Sequence, residues 1–342
     1  MLIRAAVLLL LCFLVASMLV AREALRQWET PLVVPAHGYT FTVAGGDSLR
    51  SVVDGLHAEG VLLYPDVVAL HGRLSGADQQ IHQGEYRLGE FATPAMLLNL
   101  LRSGQVVQYR VTLPEGITLR RAIEILQSQE GLAVELDGEE DPRIRALVHP
   151  DTYTEGWFFP DSYQYTRGDT DWDVLQRAHT IMRDTLEREW ETRAEGLPYE
   201  TPYDALIMAS IVERETGQPS ERAEISGVFA RRLHKGMRLQ TDPTVIYGLG
   251  DEYDGNLRRS HLRDDGNPYN TYRHTGLPPS PIALPGGAAL HAALHPADGT
   301  ALFFVARGDG GHVFSDTLAE HERAVRKYQL QRRKDYRSSP QP

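Results

Sequence analysis

The sequence predicts an α+β fold held by an N-terminal membrane helix. Three features carry that reading. A nearly unbroken apolar run occupies Ala5 to Ala21. A strand–turn–helix pattern starting at Tyr39 returns at Tyr109. From residue 151 onward, long helical stretches alternate with Pro- and Gly-rich loops before one late hairpin. The chain has 342 residues, room for two or three domains, and 42% hydrophobic residues, enough for cores. A net charge of −11 argues against a nucleic-acid partner, which needs a basic footprint. It also argues against a polyanionic substrate held by charge alone. The only cysteine, Cys12, lies inside the apolar run, so no disulfide framework or thiolate metal site is expected elsewhere.

The apolar run sits between Arg4 and Arg22 and is at the short end of a membrane span. Val15-Ala16-Ser17 would also suit a cleaved signal peptide. Leu11 before Cys12 argues against a lipoprotein signal. Charges on both flanks leave orientation open. An uncleaved anchor with the body outside the cytoplasm is the preferred reading. Residues 1–25 are then stub and anchor. Residues 26–37 form a linker, where Pro31 and Pro35 break any long helix.

Tyr39 to Val43 alternates as a strand does, Gly45-Gly46 turns the chain, and Asp47 or Ser48 can cap the following helix. In the second copy Tyr109 matches Tyr39, Thr112 matches Thr42, Gly116 matches Gly46, and Thr118 is the cap. Between the copies, Gly84 to Leu88 reads as a strand, and Thr93-Pro94 starts a helix that Gly104 stops. Two small α+β units result, at 38–107 and 108–150. They suit either gripping an extended polymer or spacing the next domain from the membrane. The second ends in a loop-rich acidic stretch, Gly131 to Pro150, read as solvated charge.

The largest domain is expected at 151–333, with a polar tail at 334–342. It opens on the aromatic cluster Glu155 to Tyr163, where Phe158 and Phe159 read as core and Trp157 and Tyr163 stay open. Asp171 to Glu195 is a long amphipathic helix. Tyr203 to Thr216 is a second helix, ending at Gly217. At 100° per residue, Ala205, Ile207, Met208, Ile211 and Val212 form one apolar arc. Glu215 falls near the middle of that arc, while Glu213 falls opposite. A carboxylate on an apolar face is costly unless neutral or paired, and the last helical turn disfavours negative charge. Both effects raise a pKa, as a general acid requires. The alternative is a helix-end Glu that swings to solvent or pairs with an Arg.

Ser220 can cap the next helix, to Gly236. Gln240, Thr241, Asp242 and Thr244 then gather hydrogen-bonding side chains in a Pro-containing turn suited to sugar hydroxyls, or to capping the helix at Pro243. Asn267 to Arg273 and Gly276 to Gly287 are shaped loops of the kind that carry function. Ala288 to Leu294 is a short helix, Ala301 to Ala306 pairs with His312 to Ser315, and Thr317 caps a last helix to about Arg333. No G-x-S-x-G elbow or phosphate-cradling loop occurs. His291 and His295 lie i,i+4 and could share a metal, but no HExxH surrounds them. Neither a metal nor a cofactor is expected.

Five segments then make a resemblance plain: EGWFFPDSY, IMASIVERETG, ERAEISGVFARRLHKGMRLQTDPTVIYGLG, NPYNTYRHTGLPPSPIALPG and FFVARGDGGHVFS. Together they resemble the endolytic murein transglycosylase (YceG-like) family. The likeness covers the anchor, the repeat region and the whole second half. It implies a single-pass inner-membrane protein with a periplasmic body, a LysM-like module in the first half and a mixed α+β catalytic domain after it. It implies cleavage within peptidoglycan glycan strands, leaving 1,6-anhydro ends, and partners among the penicillin-binding proteins. The family's catalytic acid, the second Glu of E-x-E-T, falls on Glu215. Gln240, Thr241, Asp242, Tyr247, Asn270 and Tyr272 match its cleft-lining segments. Ser280 stands where the family commonly has Gly, and Leu284 where a smaller or polar residue is common. An older label for the family, aminodeoxychorismate lyase, fits an exported chain poorly. A non-catalytic glycan-binding scaffold is the alternative reading.

Overall fold

A computed structural model describes residues 2–330. The polar tail and the expected end of the last helix lie outside them. The chain forms two compact units. The first runs to Tyr109 and takes in residues 164–168. It begins with α1 (Leu2–Glu29), which contains the one helical segment long and apolar enough to cross a membrane among the described residues. The helix continues through Arg26 and Trp28, where a linker was expected, and Trp28 stacks on His71. Pro31 follows, and Leu32 is already buried in the core.

β1 (Tyr39–Val43) pairs antiparallel with β2 (Gly84–Leu88), Tyr39 opposite Leu88 and Val43 opposite Gly84. Between them lie α2 (Leu49–Ala58) and α3 (Pro65–Ser75). Of the two proposed caps, Ser48 makes the capping box, while Asp47 accepts from the Ala44 amide. No element was expected at α3, although it carries Pro at its first turn and a left-handed Gly76 (φ 70°) at its end. α4 (Pro94–Ser103), capped by Thr93, completes a core centred on Val53, Tyr86, Leu97 and Leu101. β3 (Gln108–Thr112) pairs with β4 (Ser162–Thr166), and the division between units passes through both strands.

The second unit comprises residues 110–163 and those after 168. The second repeat therefore folds with the large unit. α5 (Leu119–Gln127) carries the expected Thr118 cap. The acidic stretch holds a short helix, α6 (Pro142–Leu147), rather than loop alone. Its cap, Asp141, is buried and accepts from the Asp137 and Arg143 amides and from the Arg143 guanidinium. Those bonds hold its carboxyl well below the usual range. Solvated charge is thus the wrong description of that residue.

α7 (Asp171–Glu191) leads to α8 (Pro202–Glu215), which starts with a Thr201/Asp204 capping box. α8 is the centre of the unit, buried continuously from Ala205 to Val212 and packed against α7, α9 (Arg222–His234), α10 (Asp242–Leu249) and α11 (Gly287–Leu294). Met182, Leu206, Met208, Phe229 and Leu290 fill the core around it. Ser220 does not cap α9; a 3₁₀ turn over Pro219–Glu221 precedes that helix. β5 (Phe303–Ala306) and β6 (His312–Ser315) form the hairpin, with Phe304 opposite Phe314. In β5 Phe303 and Phe304 are only half-buried. α12 (Leu318–Val325), capped by Thr317, follows. In the aromatic cluster Phe158 and Tyr163 are buried, Phe159 is half-buried, and Trp157 stacks on Tyr203.

Candidate active site

α8 ends at Glu215, and Thr216 leaves the helix in extended conformation. The two acids of this last turn differ in what they meet. Glu213 was expected on the face opposite the apolar arc. Its side chain is only 6% exposed, because it packs against Arg222 and the Gly286 loop. It pairs with Arg222 at 3.1 Å and accepts from the Gly286 amide at 3.0 Å. Burial raises its pKa, while those two partners oppose the rise. Glu213 is therefore a buried structural ion pair.

Glu215 is half-buried and lines a cavity of ≈ 670 Å³ with Arg232, Gln240, Asp242, Tyr272 and Phe304. Among the described residues no cation lies within ion-pair distance of it. Its one side-chain hydrogen bond comes from the Thr241 hydroxyl to Oε1. Burial pushes its carboxyl up to about 7, and the charge of Asp242 adds to the rise. The Thr241 hydrogen bond and the more distant Arg232 charge work the other way. Arg232 is committed elsewhere, donating to the carbonyls of Leu302 and Leu239, each at 2.6 Å.

The turn that presents Thr241 is braced from behind. Thr244 Oγ1 donates to the Thr241 carbonyl at 2.9 Å, and the Thr241 amide donates to Thr271 Oγ1 at 3.1 Å. Gln240 takes φ 54°, the one non-glycine residue with positive φ among those described. Such strain costs about 1–3 kcal/mol and persists where surrounding structure over-determines it. Here the Gln240 amide donates to the Thr271 carbonyl at 3.2 Å. Tyr272 donates to Asp242 Oδ1 at 2.7 Å.

Four of the six residues proposed to line a cleft thus gather around Glu215: Gln240, Thr241, Asp242 and Tyr272. The other two lie elsewhere. Asn270 is fully buried and donates to the carbonyls of His261 and Asp264, pinning that loop. Tyr247 lines a separate cavity of ≈ 620 Å³ and donates to Glu155 at 3.3 Å.

Glu155 is the residue that sequence reasoning missed. It lay in the aromatic segment with no role given to it. It is buried, accepts from the Leu119 and Gly156 amides at 3.0 and 3.2 Å, and burial pushes it up to about 7. Its partners are the first turn of α5 and a tyrosine, so it already satisfies a helix end. No nearby sequence cue marks it, because Leu119 and Tyr247 are distant along the chain. A carboxyl that stays neutral near pH 7 and opens on a polar cavity can deliver a proton to a bound oxygen and take one back. Glu215 meets both conditions with the fewest competing partners.

The chain resembles known proteins over most of its length. Residues 41–327 match the model of the YceG-like family. An endolytic murein transglycosylase of Bacillus subtilis (strain 168) is 30% identical over 304 residues, 84% of this chain and 83% of that protein. An endolytic murein transglycosylase of Streptococcus pneumoniae serotype 2 (strain D39) is 28% identical over 339 residues, covering 87% of this chain but 60% of that protein. A crystal structure of a YceG-like protein from Listeria monocytogenes superposes with a TM-score of 0.52 at 24% identity, over 84% of this chain and 98% of that one, a likeness of fold. With the family model spanning most of its length, the chain belongs to the YceG-like family.

Proposed function

We propose that the chain is an endolytic murein transglycosylase in which Glu215 is the acid–base residue. The activity is cleavage of peptidoglycan glycan strands from within, the chemistry named for its relatives. One observation carries the assignment of the residue: an acid with its pKa raised to about 7 opens on a polar cavity and has no paired cation.

Glu215, neutral in the resting state, protonates the glycosidic oxygen between N-acetylmuramic acid and N-acetylglucosamine. The C1–O bond breaks through an oxocarbenium-like transition state. The resulting carboxylate takes the proton of the muramic C6 hydroxyl, whose oxygen closes on C1. The product carries a 1,6-anhydro ring, and no water is consumed. Glu215 is neutral again at the end of the cycle. Hydrolysis by either usual route needs two carboxylates. Asp242 serves instead as a fixed negative charge, held by Tyr272, that supports the cationic transition state. The Thr241 hydroxyl steadies the carboxylate between its two proton transfers.

The first unit is proposed as a LysM-like glycan-binding module, on the strength of the two helices, α2 and α3, that lie between its paired strands β1 and β2. α1 is proposed as a single-pass inner-membrane anchor that leaves both units in the periplasm. Penicillin-binding proteins are the partners this reading favours, since cutting within a nascent strand would end its growth. Mass spectrometry of glycan products tests the chemistry. An anhydro end, one water lighter than a hydrolytic end, is expected from the wild type. Glu215→Gln is expected to yield no product while keeping the circular dichroism of the wild type. Full activity of that variant overturns the assignment.

A further inference from the structure

We propose that Glu189, His291 and His295 form a surface site for a divalent transition cation of the zinc type, clasping the end of α7 to α11. One ligand atom from each residue lies within 4.8 Å of the others. Glu189 Oε2 is 2.8 Å from His291 Nδ1, and the two imidazoles stack with centroids 4.2 Å apart. Zinc bonds of about 2.0–2.2 Å place tetrahedral ligands roughly 3.4 Å apart. Small side-chain rotations therefore close this set around an ion. Two imidazoles and a carboxylate leave a fourth position for water, the donor set of zinc, nickel or copper rather than of calcium or magnesium.

The orientation of His295 is a second, independent observation. Its Nε2 lies 2.8 Å from the Thr192 carbonyl, which accepts only, and this shorter of its two carbonyl contacts places the proton of the neutral ring on Nε2. A metal-bound histidine is held in this way, its second nitrogen donating to a backbone carbonyl. Nδ1 is then left with its lone pair. It faces another acceptor, the His291 carbonyl, at 3.2 Å. In the neutral ring two acceptors then face each other, a conflict that a bound cation or a second proton removes. His291 and Glu189 are accessible at 61% and 21% of their side-chain surfaces, so an ion can reach them from solvent.

The site also closes a lace that is already there. The Ala194 amide donates to the Leu294 carbonyl at 3.0 Å, and Tyr199 donates to the Ala293 carbonyl. Both tie the α7–α8 connection to the end of α11, and α11 packs along α8, the helix that carries Glu215. The third ligand lies 102 residues before His291, which hides the set from a search for local spacing.

The test uses the tag-free, detergent-solubilised full chain, stripped with chelator and titrated with zinc chloride by calorimetry. One equivalent is expected to bind. Glu189→Gln, His291→Ala and His295→Ala are each expected to weaken binding at least about tenfold, with unchanged circular dichroism. Zinc is expected to raise the Tm of the wild type and not that of the double variant His291→Ala/His295→Ala. Zinc binding that survives in the double variant at wild-type strength overturns the proposal. So does the absence of any zinc-dependent heat in the wild type at millimolar zinc.

Discussion

Replacing Glu215 with Gln removes one titration from the folded chain and little else. The amide keeps the length of the side chain, and its oxygen can still accept from Thr241. The energetic consequence follows from the carboxyl's position. Its ordinary value of 4.5 is raised to about 7, chiefly by burial. Between those limits the folded chain holds a proton that the unfolded chain has released, so stability falls as pH rises. Above pH 7 the folded state carries the whole penalty of an ionised, desolvated carboxylate. At 1.36 kcal/mol per pH unit, that penalty is about 3 kcal/mol. Glu215→Gln should therefore match the wild type near pH 4 and exceed it by up to about 3 kcal/mol at pH 8. Glu155 titrates in the same window but cancels in the difference, because both proteins carry it. Urea unfolding followed by tryptophan fluorescence reads mainly this unit, since Trp157, Trp172 and Trp190 lie in it and only Trp28 lies in the first. A stability difference that stays constant from pH 4 to pH 8 would refute the raised pKa and with it the proton-donor argument.

Further outcomes follow from the neighbours of that acid. Thr241→Val removes a donor that favours the carboxylate, a bond worth about 1.5–3 kcal/mol to a charged acceptor. The alkaline limb of the pH–rate profile should then move up by about one pH unit, and a downward move would contradict the geometry. Glu213→Ala leaves the buried Arg222 with only the more exposed Glu115, 3.4 Å away, and should cost up to about 3 kcal/mol, seen as a lower urea midpoint. Gln240→Gly should relieve the left-handed strain and stabilise the fold by a few tenths to about 1 kcal/mol. Its turnover should fall if the glutamine amide contacts glycan, and an unchanged rate would limit Gln240 to shaping the turn.

Much of this arrangement is legible in the sequence because local rules decide it. Ser48, Thr93, Thr118 and Thr317 cap the helices they precede, and the late hairpin pairs as its alternation suggests. What sequence periodicity misread is the environment of α8. Its apolar arc was taken to mark one buried face, with Glu213 on the opposite side. The helix is enclosed all round, so its faces carry no such distinction. Small residues such as Ala205, Ala209 and Ser210 permit that enclosure, and Ser210 accepts the Ile282 amide from a distant loop. The partners that separate the two acids are equally non-local: Arg222 and Gly286 for Glu213, Thr241 for Glu215. Tyr247 and Asn270 are expected in the cleft because they match the family's cleft-lining segments, and such a match places the segment rather than the side chain. Which way a side chain points out of such a segment depends on the packing of the unit, which short spacings do not encode.

Glu155, Glu213 and Glu215 show why burial alone does not mark a proton donor. Burial raises the pKa of Glu155, Glu213 and Glu215 alike. Glu213 spends its lone pairs on a guanidinium and a backbone amide, so protonating it would break an ion pair. Glu155 spends its own on two amides and a phenol, and closes the open end of α5. Of the three, only Glu215 keeps an oxygen free of donors among the described residues while facing a cavity wide enough for sugar rings. A general acid must be able to give its proton away without unmaking the fold around it. By that standard the bond from Thr241 matters twice. It holds one oxygen in place, and it leaves the other for substrate, so that in the proposed mechanism a single carboxyl gives a proton to one sugar oxygen and recovers it from another.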